Sequence, residues 1–244
     1  MKRRATETHR FYVSTDFVAA DRIVFPIEEA RHAAKVLRLI PGDEVVVVDG
    51  QGRTYFCTLE TVRPKGTIAI INSQEDDLGE PPYFIHIGVG ILKQAARWET
   101  FLEKAVELGV SRVTPIVSSR IQKHSFNRRR SDAILIAALK QSGRSRLPVL
   151  DEPMGIQTIM GSMTADCKMI CHEQSTSSFR IPGLISGDVK RVGILIGPEG
   201  GFSDEEIILA ESLDWKTVWL GERRLRTETA AMAVLAVVSQ LLDE

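Results

Sequence analysis

The chain has few cysteines, no long apolar run and almost no net charge. Its 244 residues include Cys57, Cys167 and Cys171, and an odd number of cysteines within apolar runs excludes a disulfide framework. No apolar run is long enough to cross a bilayer, and residues 1–10 lack the apolar segment of a secretory signal. A hydrophobic content of 43% and a charged content of 26% are ordinary for a globular protein. We therefore expect a globular, cytoplasmic protein without membrane contact.

Three potential metal ligands lie close together in the sequence, at Cys167, Cys171 and His172. They fall within a run that predicts a strand. Residues four apart on a strand are separated by about 13 Å, which is too far for them to share one ion. We expect buried thiols here and no metal.

The net charge of -1 conceals a strongly basic segment, residues 111–146, in which nine basic residues face one acidic residue, Asp132. Such a local positive field suits a polyanionic partner such as RNA. A solvated helix face is the alternative that charge alone leaves open.

The first seventy or so residues predict short strands separated by tight turns. Strands are expected over 44–48, 54–62 and 67–72, and one helix over 27–37 is ended by Pro41 and Gly42. This pattern is typical of a small β-barrel or sandwich. The polar segment 72–82 closes with two prolines and is the expected domain boundary, which gives domains of 1–76 and 77–244.

Beyond that boundary, short apolar runs alternate with helical patterns. Alternation of this kind predicts an α/β domain with a mostly parallel sheet of about five strands. The strands are expected at 83–92, 113–117, 167–172, 192–196 and 217–220, and helices at 98–109 and 131–142.

Two glycine-containing loops each follow a predicted strand and precede a predicted helix, at 196–202 and 220–229. Gly200 and Gly201 leave backbone amides open to a ligand. Ser203 to Glu206 has the form of a capping box and predicts a helix that begins directly afterwards. We interpret the loops as one shared site for a nucleotide-like ligand; an ordinary strand-to-helix turn is the alternative for a lone glycine pair.

Together, these loops resemble the signature loops of the SPOUT methyltransferase superfamily, which uses S-adenosylmethionine and has a deep trefoil knot. More narrowly, the chain is similar to the bacterial enzymes that methylate N3 of a uridine in small-subunit (16S) ribosomal RNA. Further segments match that family in sequence and order: His32 with 36–38, Lys104 with 107–110, and 141–148. The chain departs from it at Glu222, where the family usually has proline, and at Arg224, where it has an aliphatic residue.

The resemblance implies an α/β protein with an N-terminal PUA-like β-barrel domain that binds RNA and a C-terminal SPOUT domain that carries the knot. It also implies a two-fold homodimer with the cofactor loops near the interface. The apolar segment 230–238 needs cover on more than one side; burial within its own domain is the alternative to a dimer.

The same resemblance suggests functional residues in this sequence. Arg226 is the leading candidate for charge stabilisation or phosphate positioning, and Glu199 and Glu228 are candidate bases or orienting groups. A loop salt bridge between Arg226 and Glu228, and a turn-holding role for Glu199, are the structural alternatives. The expected cofactor-binding residues are His172, Glu173, Gly197, Pro198, Gly200, Gly201, Leu220, Gly221 and Leu225. The expected RNA-binding residues are Arg10, His32, Arg38, Arg120, Lys123, Arg128, Arg129, Arg130, Arg144, Arg146 and Arg223.

The predicted partner is 16S ribosomal RNA or the small ribosomal subunit. Two other functions remain open at this point: a SPOUT enzyme that methylates another RNA atom, such as a ribose 2′-hydroxyl, and a non-catalytic rRNA-binding or assembly protein. Both glycine loops speak against the second, because RNA binding alone needs no cofactor pocket.

Overall fold

A computed structural model of the chain describes residues 9–117, 126–172, 179–185 and 187–243. The chain divides into two compact units. The first comprises Met1–Glu80 with Leu139–Leu147, and the second comprises Pro81–Ala138 with Pro148–Glu244. The limits expected from the sequence, 1–76 and 77–244, stay a prediction.

The first unit is built on a five-stranded sheet. Its strands are β1 (Arg10–Tyr12), β2 (Arg22–Val24), β3 (Glu44–Val48), β4 (Arg53–Thr61) and β5 (Ile68–Asp76). The strand order is β1-β3-β4-β5-β2, with β1 parallel to β3 and the other pairs antiparallel. Within residues 9–76, no backbone ladder joins β1 to β2. These two strands are therefore the edges of an open sheet, whereas a closed barrel was predicted.

One helical segment covers the core of this unit. Helix α1 (Ile27–Arg31) continues as a turn of π-helix (His32–Val36), and a 3₁₀ turn lies at Thr15–Phe17. The helix predicted over 27–37 is therefore confirmed, with a change of winding half-way. Ala30 and Ala33 are fully buried in the cluster that contains Phe11, Ile23 and Leu59. Small side chains at these positions allow the helix to lie close to the sheet.

The polar segment after residue 72 differs from the sequence-based expectation. We predicted that this strand ends at residue 72, but β5 extends to Asp76, where it pairs with Arg53 of β4. Exposed polar side chains do not prevent a strand when the neighbouring strand supplies its backbone hydrogen bonds. The predicted end of this strand is therefore wrong by four residues, whereas the domain boundary expected within 72–82 stays a prediction.

The second unit contains a parallel seven-stranded sheet. Its strands are β6 (Phe84–Gly90), β7 (Arg112–Val117), β8 (Val149–Leu150), β9 (Met154–Gly155), β10 (Cys167–Cys171), β11 (Arg191–Ile196) and β12 (Lys216–Val218). The order is β12-β10-β11-β6-β7-β8, and β9 also pairs with β7. The five longer strands are those predicted; the two strands missed contain two residues each.

Helices alternate with these strands, which confirms the α/β interpretation. They are α2 (Ala95–Glu107), α3 (Arg128–Ser142), α4 (Ile156–Ser162), α5 (Asp204–Ser212) and α6 (Thr227–Leu242), with a 3₁₀ turn at Ile181–Gly183. The residues of α3 from Leu139 onward belong to the first unit. The predicted capping box is present at α5: Glu206 N donates to Ser203 Oγ and Ser203 N donates to the Glu206 carboxylate. Within the described ranges, every helix is too short or too polar to span a bilayer.

A buried polar network joins β6, β7 and the segment after β8. Arg112 donates two hydrogen bonds to Asp151, each of 2.8 Å. Thr114 donates its hydroxyl hydrogen to Asp151, so its oxygen accepts from His86 Nε2 at 2.7 Å. Burial, and then the positive charge of Arg112, lower the pKa of His86 to about 4. The imidazole is therefore neutral in the folded protein at neutral pH.

This network predicts a loss of stability in mild acid. In the unfolded chain His86 takes up a proton near its ordinary pKa of 6.5, whereas in the folded chain it stays neutral down to about pH 4. Stability should therefore fall as the pH drops through this window, by about 2 kcal/mol between pH 7.5 and pH 5. Urea unfolding of the wild type and of His86→Gln across this range would measure it. Parallel pH profiles for the two proteins would contradict the assignment.

Candidate functional site

The two glycine loops meet at one cavity at the carboxyl edge of the second unit's sheet. Its volume is about 760 Å³, and it lies where β10, β11 and β12 end. The predicted site residues that line it are His172, Gly197, Pro198, Glu199, Gly200, Gly201, Leu220, Gly221, Arg223, Leu225 and Arg226. The sequence thus identified most of the cavity wall. Glu173, also predicted to bind cofactor, lies outside the described residues.

The first loop is a tight turn whose shape requires glycine. Gly201 N donates to Pro198 O at 2.8 Å, and Gly201 has a φ of +69°, in the left-handed region that favours glycine. A Cβ at Gly197 would lie 3.0 Å from the carbonyl carbon of Gly201. Gly200 and Gly201 therefore line the cavity with backbone that no Cβ covers.

Strand β6 supports this turn from behind. A Cβ at Gly90 would lie 2.4 Å from Pro198 N and 2.6 Å from Pro198 Cα, much closer than van der Waals contact. Only glycine allows the strand and the loop to approach this closely. Gly90 was not predicted as a site residue, because it lies within the strand predicted over 83–92 and its contact with Pro198 leaves no local signal.

The second loop presents cations to the cavity. Gly221 has a φ of +115°, and Arg223, Arg224 and Arg226 are exposed and line the cavity. The residue that departs from the family pattern at 224 therefore lies on the open side of the loop instead of in the core. Glu222, the other departure, is exposed and is not among the lining residues.

Thr227 connects the two loops. Its hydroxyl donates to Gly197 O at 3.0 Å, and the residue is buried at the first position of α6. A buried hydrogen bond between segments thirty residues apart fixes the spacing of the cavity walls. Sequence reasoning missed Thr227, since a threonine at a helix start ordinarily indicates only a cap.

The two glutamates proposed as bases or orienting groups occupy different environments. Glu199 lines the cavity, and its Oε1 accepts from Lys93 N at 3.2 Å. Glu228 is buried, lies 3.5 Å from Arg97 Nε, and does not belong to the cavity wall. The predicted alternative of a salt bridge between Arg226 and Glu228 is wrong, because Arg97 is the partner of Glu228.

The cavity suits an elongated ligand with polar and apolar parts. Its volume lies in the range of about 300–1,000 Å³ typical of small-molecule sites. Leu220 and Leu225 give the cavity wall apolar surface, and the glycines give it backbone. Glu199 adds a negative charge and Arg226 a positive charge. In the described part of the chain, no group of His, Cys, Asp and Glu side chains could hold a metal ion. Burial raises the pKa of the Cys171 thiol in the cavity wall to about 12, so it is not a thiolate at neutral pH.

Four of the predicted RNA-binding arginines have exposed side chains on the first turn of α3 or in the segment after it. Three of them form ion pairs: Arg128 with Asp132 and Glu152, Arg130 with Glu99, and Arg146 with Asp77. The fourth is Arg129. Exposed ion pairs contribute little to stability, so phosphates can compete for these guanidinium groups. Arg120 and Lys123, also predicted, lie outside the described residues.

Apart from Arg223 in the cavity wall, the remaining predicted RNA contacts belong to the first unit and differ in exposure. His32 and Arg38 are exposed. Arg10 is half-buried and donates to Gly143 O at 2.5 Å. Arg144 is buried, with 6% of its side chain exposed, and pairs with Glu80 at 2.8 Å. This placement does not support a phosphate contact by Arg144, because the guanidinium has almost no accessible surface.

Glu80 fixes the segment from Gly143 to Leu147 within the first unit. Its carboxylate accepts from the Arg144 side chain and from the backbone amides of Ser145 and Arg146, at 2.7 and 2.8 Å. Glu80→Gln should lower the free energy of unfolding by about 2 kcal/mol, because an amide cannot accept all of these bonds. Urea unfolding measures this, with Asp77→Asn, which weakens the exposed pair to Arg146, as the matched control. Equal losses in both variants would contradict a special role for Glu80.

Both parts of the chain match known protein families. Residues 79–239 match the family described as RNA methyltransferase domain, and residues 26–71 match the RNA methyltransferase PUA domain. The first match covers more than half of the chain. The chain belongs to this RNA methyltransferase family. The predicted order, a PUA-like domain followed by an α/β domain with a parallel sheet, is thereby confirmed.

Relatives of the family extend over nearly the full length. The ribosomal RNA small subunit methyltransferase E of Mycobacterium bovis is 30% identical over 243 residues, which cover 95% of this chain and 91% of the relative. The solved enzyme of that name from Neisseria gonorrhoeae, bound to S-adenosyl methionine, is 28% identical with a TM-score of 0.84. A methyltransferase from Legionella pneumophila in complex with the bound cofactor SAM is 29% identical with a TM-score of 0.85. Each structural match covers 96% of this chain and 98% of the other.

Proposed function

We propose that this RNA methyltransferase family member uses S-adenosylmethionine to methylate N3 of a specific uridine in 16S ribosomal RNA. The observation that carries the proposal is that both glycine loops line a single cavity. Full-length relatives that are named for small-subunit ribosomal RNA, one of them solved with the cofactor, support the substrate class. The atom N3 comes from the family resemblance of the loop motifs.

In the proposed complex, backbone groups of the two loops hold the adenosine part of the cofactor. Gly197, Gly200 and Gly201 bring main chain without side-chain cover to the cavity wall, while Leu220 and Leu225 supply apolar surface. When bound, S-adenosylmethionine supplies an electrophilic methyl group. The loops then need only to hold donor and acceptor in line, since alignment alone accounts for much of the barrier reduction in a one-step displacement.

The acceptor places a further demand on the site. N3 of uridine carries a proton near neutral pH, and negative charge develops on the uracil as that proton leaves. Arg226 lines the cavity and, within the described residues, has no ion-pair partner. We assign it to stabilise this charge. Glu199 lies in the same wall and is the remaining candidate for receiving the proton or orienting the base.

Several finer features belong to the same proposal. We place RNA binding on the exposed arginines of α3, on Arg146, on His32 and Arg38, and on Arg223 beside the cavity, because cations that neutralise phosphates supply most nonspecific affinity. We also propose domains of 1–76 and 77–244, a C-terminal trefoil knot, a homodimer and a cytoplasmic site of action on the small subunit, as the family resemblance implies.

The decisive experiment uses the full-length protein, labelled S-adenosylmethionine and an unmodified transcript of small-subunit ribosomal RNA. After digestion to nucleosides, mass spectrometry should detect 3-methyluridine. The appearance of 2′-O-methyluridine instead would shift the assignment to ribose methylation. RNA binding without any methylated nucleoside, on either the transcript or isolated small subunits, would favour the non-catalytic alternative.

A further inference from the structure

The N-terminal turns of α2 and α6 meet at a buried ion pair. Arg97 lies in the first turn of α2, and its Nε lies 3.5 Å from Oε1 of Glu228, in the first turn of α6. Only 10% of the Glu228 side chain is exposed, compared with 26% of the Arg97 side chain. The pair is therefore asymmetric: the carboxylate is buried and the guanidinium reaches the surface.

The buried carboxylate is not fully satisfied. Glu228 Oε2 is inaccessible to solvent and has no hydrogen-bond partner among the described residues. A buried carboxylate with an unused oxygen is costly, so its presence calls for an explanation other than stability. Helix α6 offsets part of the cost, because Glu228 lies in its first turn, near the positive end of the helix dipole.

The guanidinium has free hydrogen-bonding capacity. Within the described part of the chain, Glu228 is the acidic partner of Arg97, and no hydrogen bond from its two Nη groups is found. Since Nε is the guanidinium nitrogen nearest to Glu228, the Nη groups at the far edge of the planar guanidinium are left for another acceptor. An arginine held from behind by a carboxylate is suited to binding an oxyanion through two parallel hydrogen bonds.

This pair lies next to the candidate site without forming its wall. Glu228 directly follows Thr227, which lines the cavity and bonds Gly197 O. Lys93, four residues before Arg97, donates its amide to Glu199 of the first loop. Both residues of the pair are thus tied, through their near neighbours in sequence, to the loop that forms the cavity.

We infer that Arg97 binds a backbone phosphate of the RNA beside the acceptor nucleotide, and that Glu228 is its positioning residue. This rests on the proposed function. It reassigns Glu228 from a candidate base to a group that acts through Arg97, since its side chain is buried away from the cavity wall. The phosphate would take the place of solvent on the free edge of the guanidinium.

The test compares full-length wild type, Arg97→Ala, Arg97→Lys and Glu228→Gln in binding an unmodified small-subunit ribosomal RNA transcript over a range of salt concentrations. Arg97→Ala should bind RNA about tenfold more weakly and lower the slope of log affinity against log salt by about 0.7 to 0.9, the loss of one phosphate contact. Arg97→Lys should restore the slope but not the full affinity, because lysine keeps the charge and loses the bidentate geometry. Glu228→Gln should weaken RNA binding while keeping the wild-type slope.

Controls separate this role from loss of structure. Lys104→Ala, which removes an exposed cation paired with Glu103 and Glu107 on the same helix, should leave RNA affinity within about twofold. Calorimetric affinity for S-adenosylmethionine should stay near wild type in all variants, because neither residue of the pair lines the cavity. An unchanged salt slope in Arg97→Ala would overturn the phosphate contact, even if its methylation rate fell. Because binding is measured without turnover, this result is independent of whether the wild type methylates the transcript.

Discussion

Gly90→Ala should lower the affinity for S-adenosylmethionine by about a hundredfold. The added methyl group would lie 2.4 Å from Pro198 N and 2.6 Å from Pro198 Cα, so it overlaps the backbone of the first loop. A backbone cannot rotate away as a flexible side chain can, and overpacking of this kind costs about 1–3 kcal/mol, the upper end of which is about a hundredfold in binding. The loop must move outward, into the space that the cofactor is proposed to occupy.

Calorimetric titration with S-adenosylmethionine measures this effect directly. Gly161→Ala is the matched control, because a Cβ there meets no heavy atom within 4 Å and the residue lies exposed in α4. The control should bind cofactor normally and be slightly more stable, since alanine is the better helix former. If Gly90→Ala is folded and binds cofactor as tightly as Gly161→Ala, the first loop does not hold the cofactor.

The helices and strands whose apolar side chains form the core could be predicted from the sequence. Strands such as Arg191–Ile196 appear as continuous apolar runs because both faces of a parallel sheet are covered. Helix α2 was clear because Trp98, Phe101, Leu102 and Ala105 recur at helical spacing and are all buried. The end of β5 was missed for the opposite reason: its stability comes from the backbone of β4, which local composition does not report.

The two glycine loops of the site could be predicted from the sequence, but the residues that contact them from other parts of the chain could not. Glycine and a capping box are local signals of a ligand-binding turn, and the cavity contains these residues. Thr227, Gly90 and Arg97 act through contacts with residues 30, 108 and 131 positions away. No local pattern encodes such pairs. For the same reason the charge pattern assigned Arg144 to RNA, whereas its partner Glu80, 64 residues earlier, places it in the interior.

Arg144 and Arg226 differ in how far the fold already uses their side chains. Arg144 is buried against a carboxylate that also accepts two backbone amides, so its charge is already used within the fold. Arg226 is exposed in the cavity wall, and its backbone carbonyl accepts from Ala230 N at 2.8 Å as helix α6 begins. The backbone is thus held while the side chain is left available. This is the arrangement expected of a group that meets charge developing on a bound acceptor.

Arg226→Ala should reduce the rate of methyl transfer by about 10²–10³-fold, the usual cost of removing one preorganised group that stabilises developing charge. A single-turnover assay with saturating S-adenosylmethionine and RNA isolates this step from binding. Cofactor affinity should change much less than the rate, because the adenosine is proposed to lie against the glycine backbone and the leucines of the cavity wall. Arg226→Lys should recover part of the rate, since it restores the charge without the planar fork.

Glu222→Ala provides the matched control for this prediction, because Glu222 is exposed in the same loop and does not line the cavity. Its single-turnover rate should stay within about twofold of wild type. If the single-turnover rate of Arg226→Ala falls no further than that of this control, Arg226 is not needed when the uracil becomes negatively charged. Charge stabilisation would then be assigned to Arg223 or Arg224, which also line the cavity in the described part of the chain. Their alanine variants, measured in the same assay, would identify which of them supplies it.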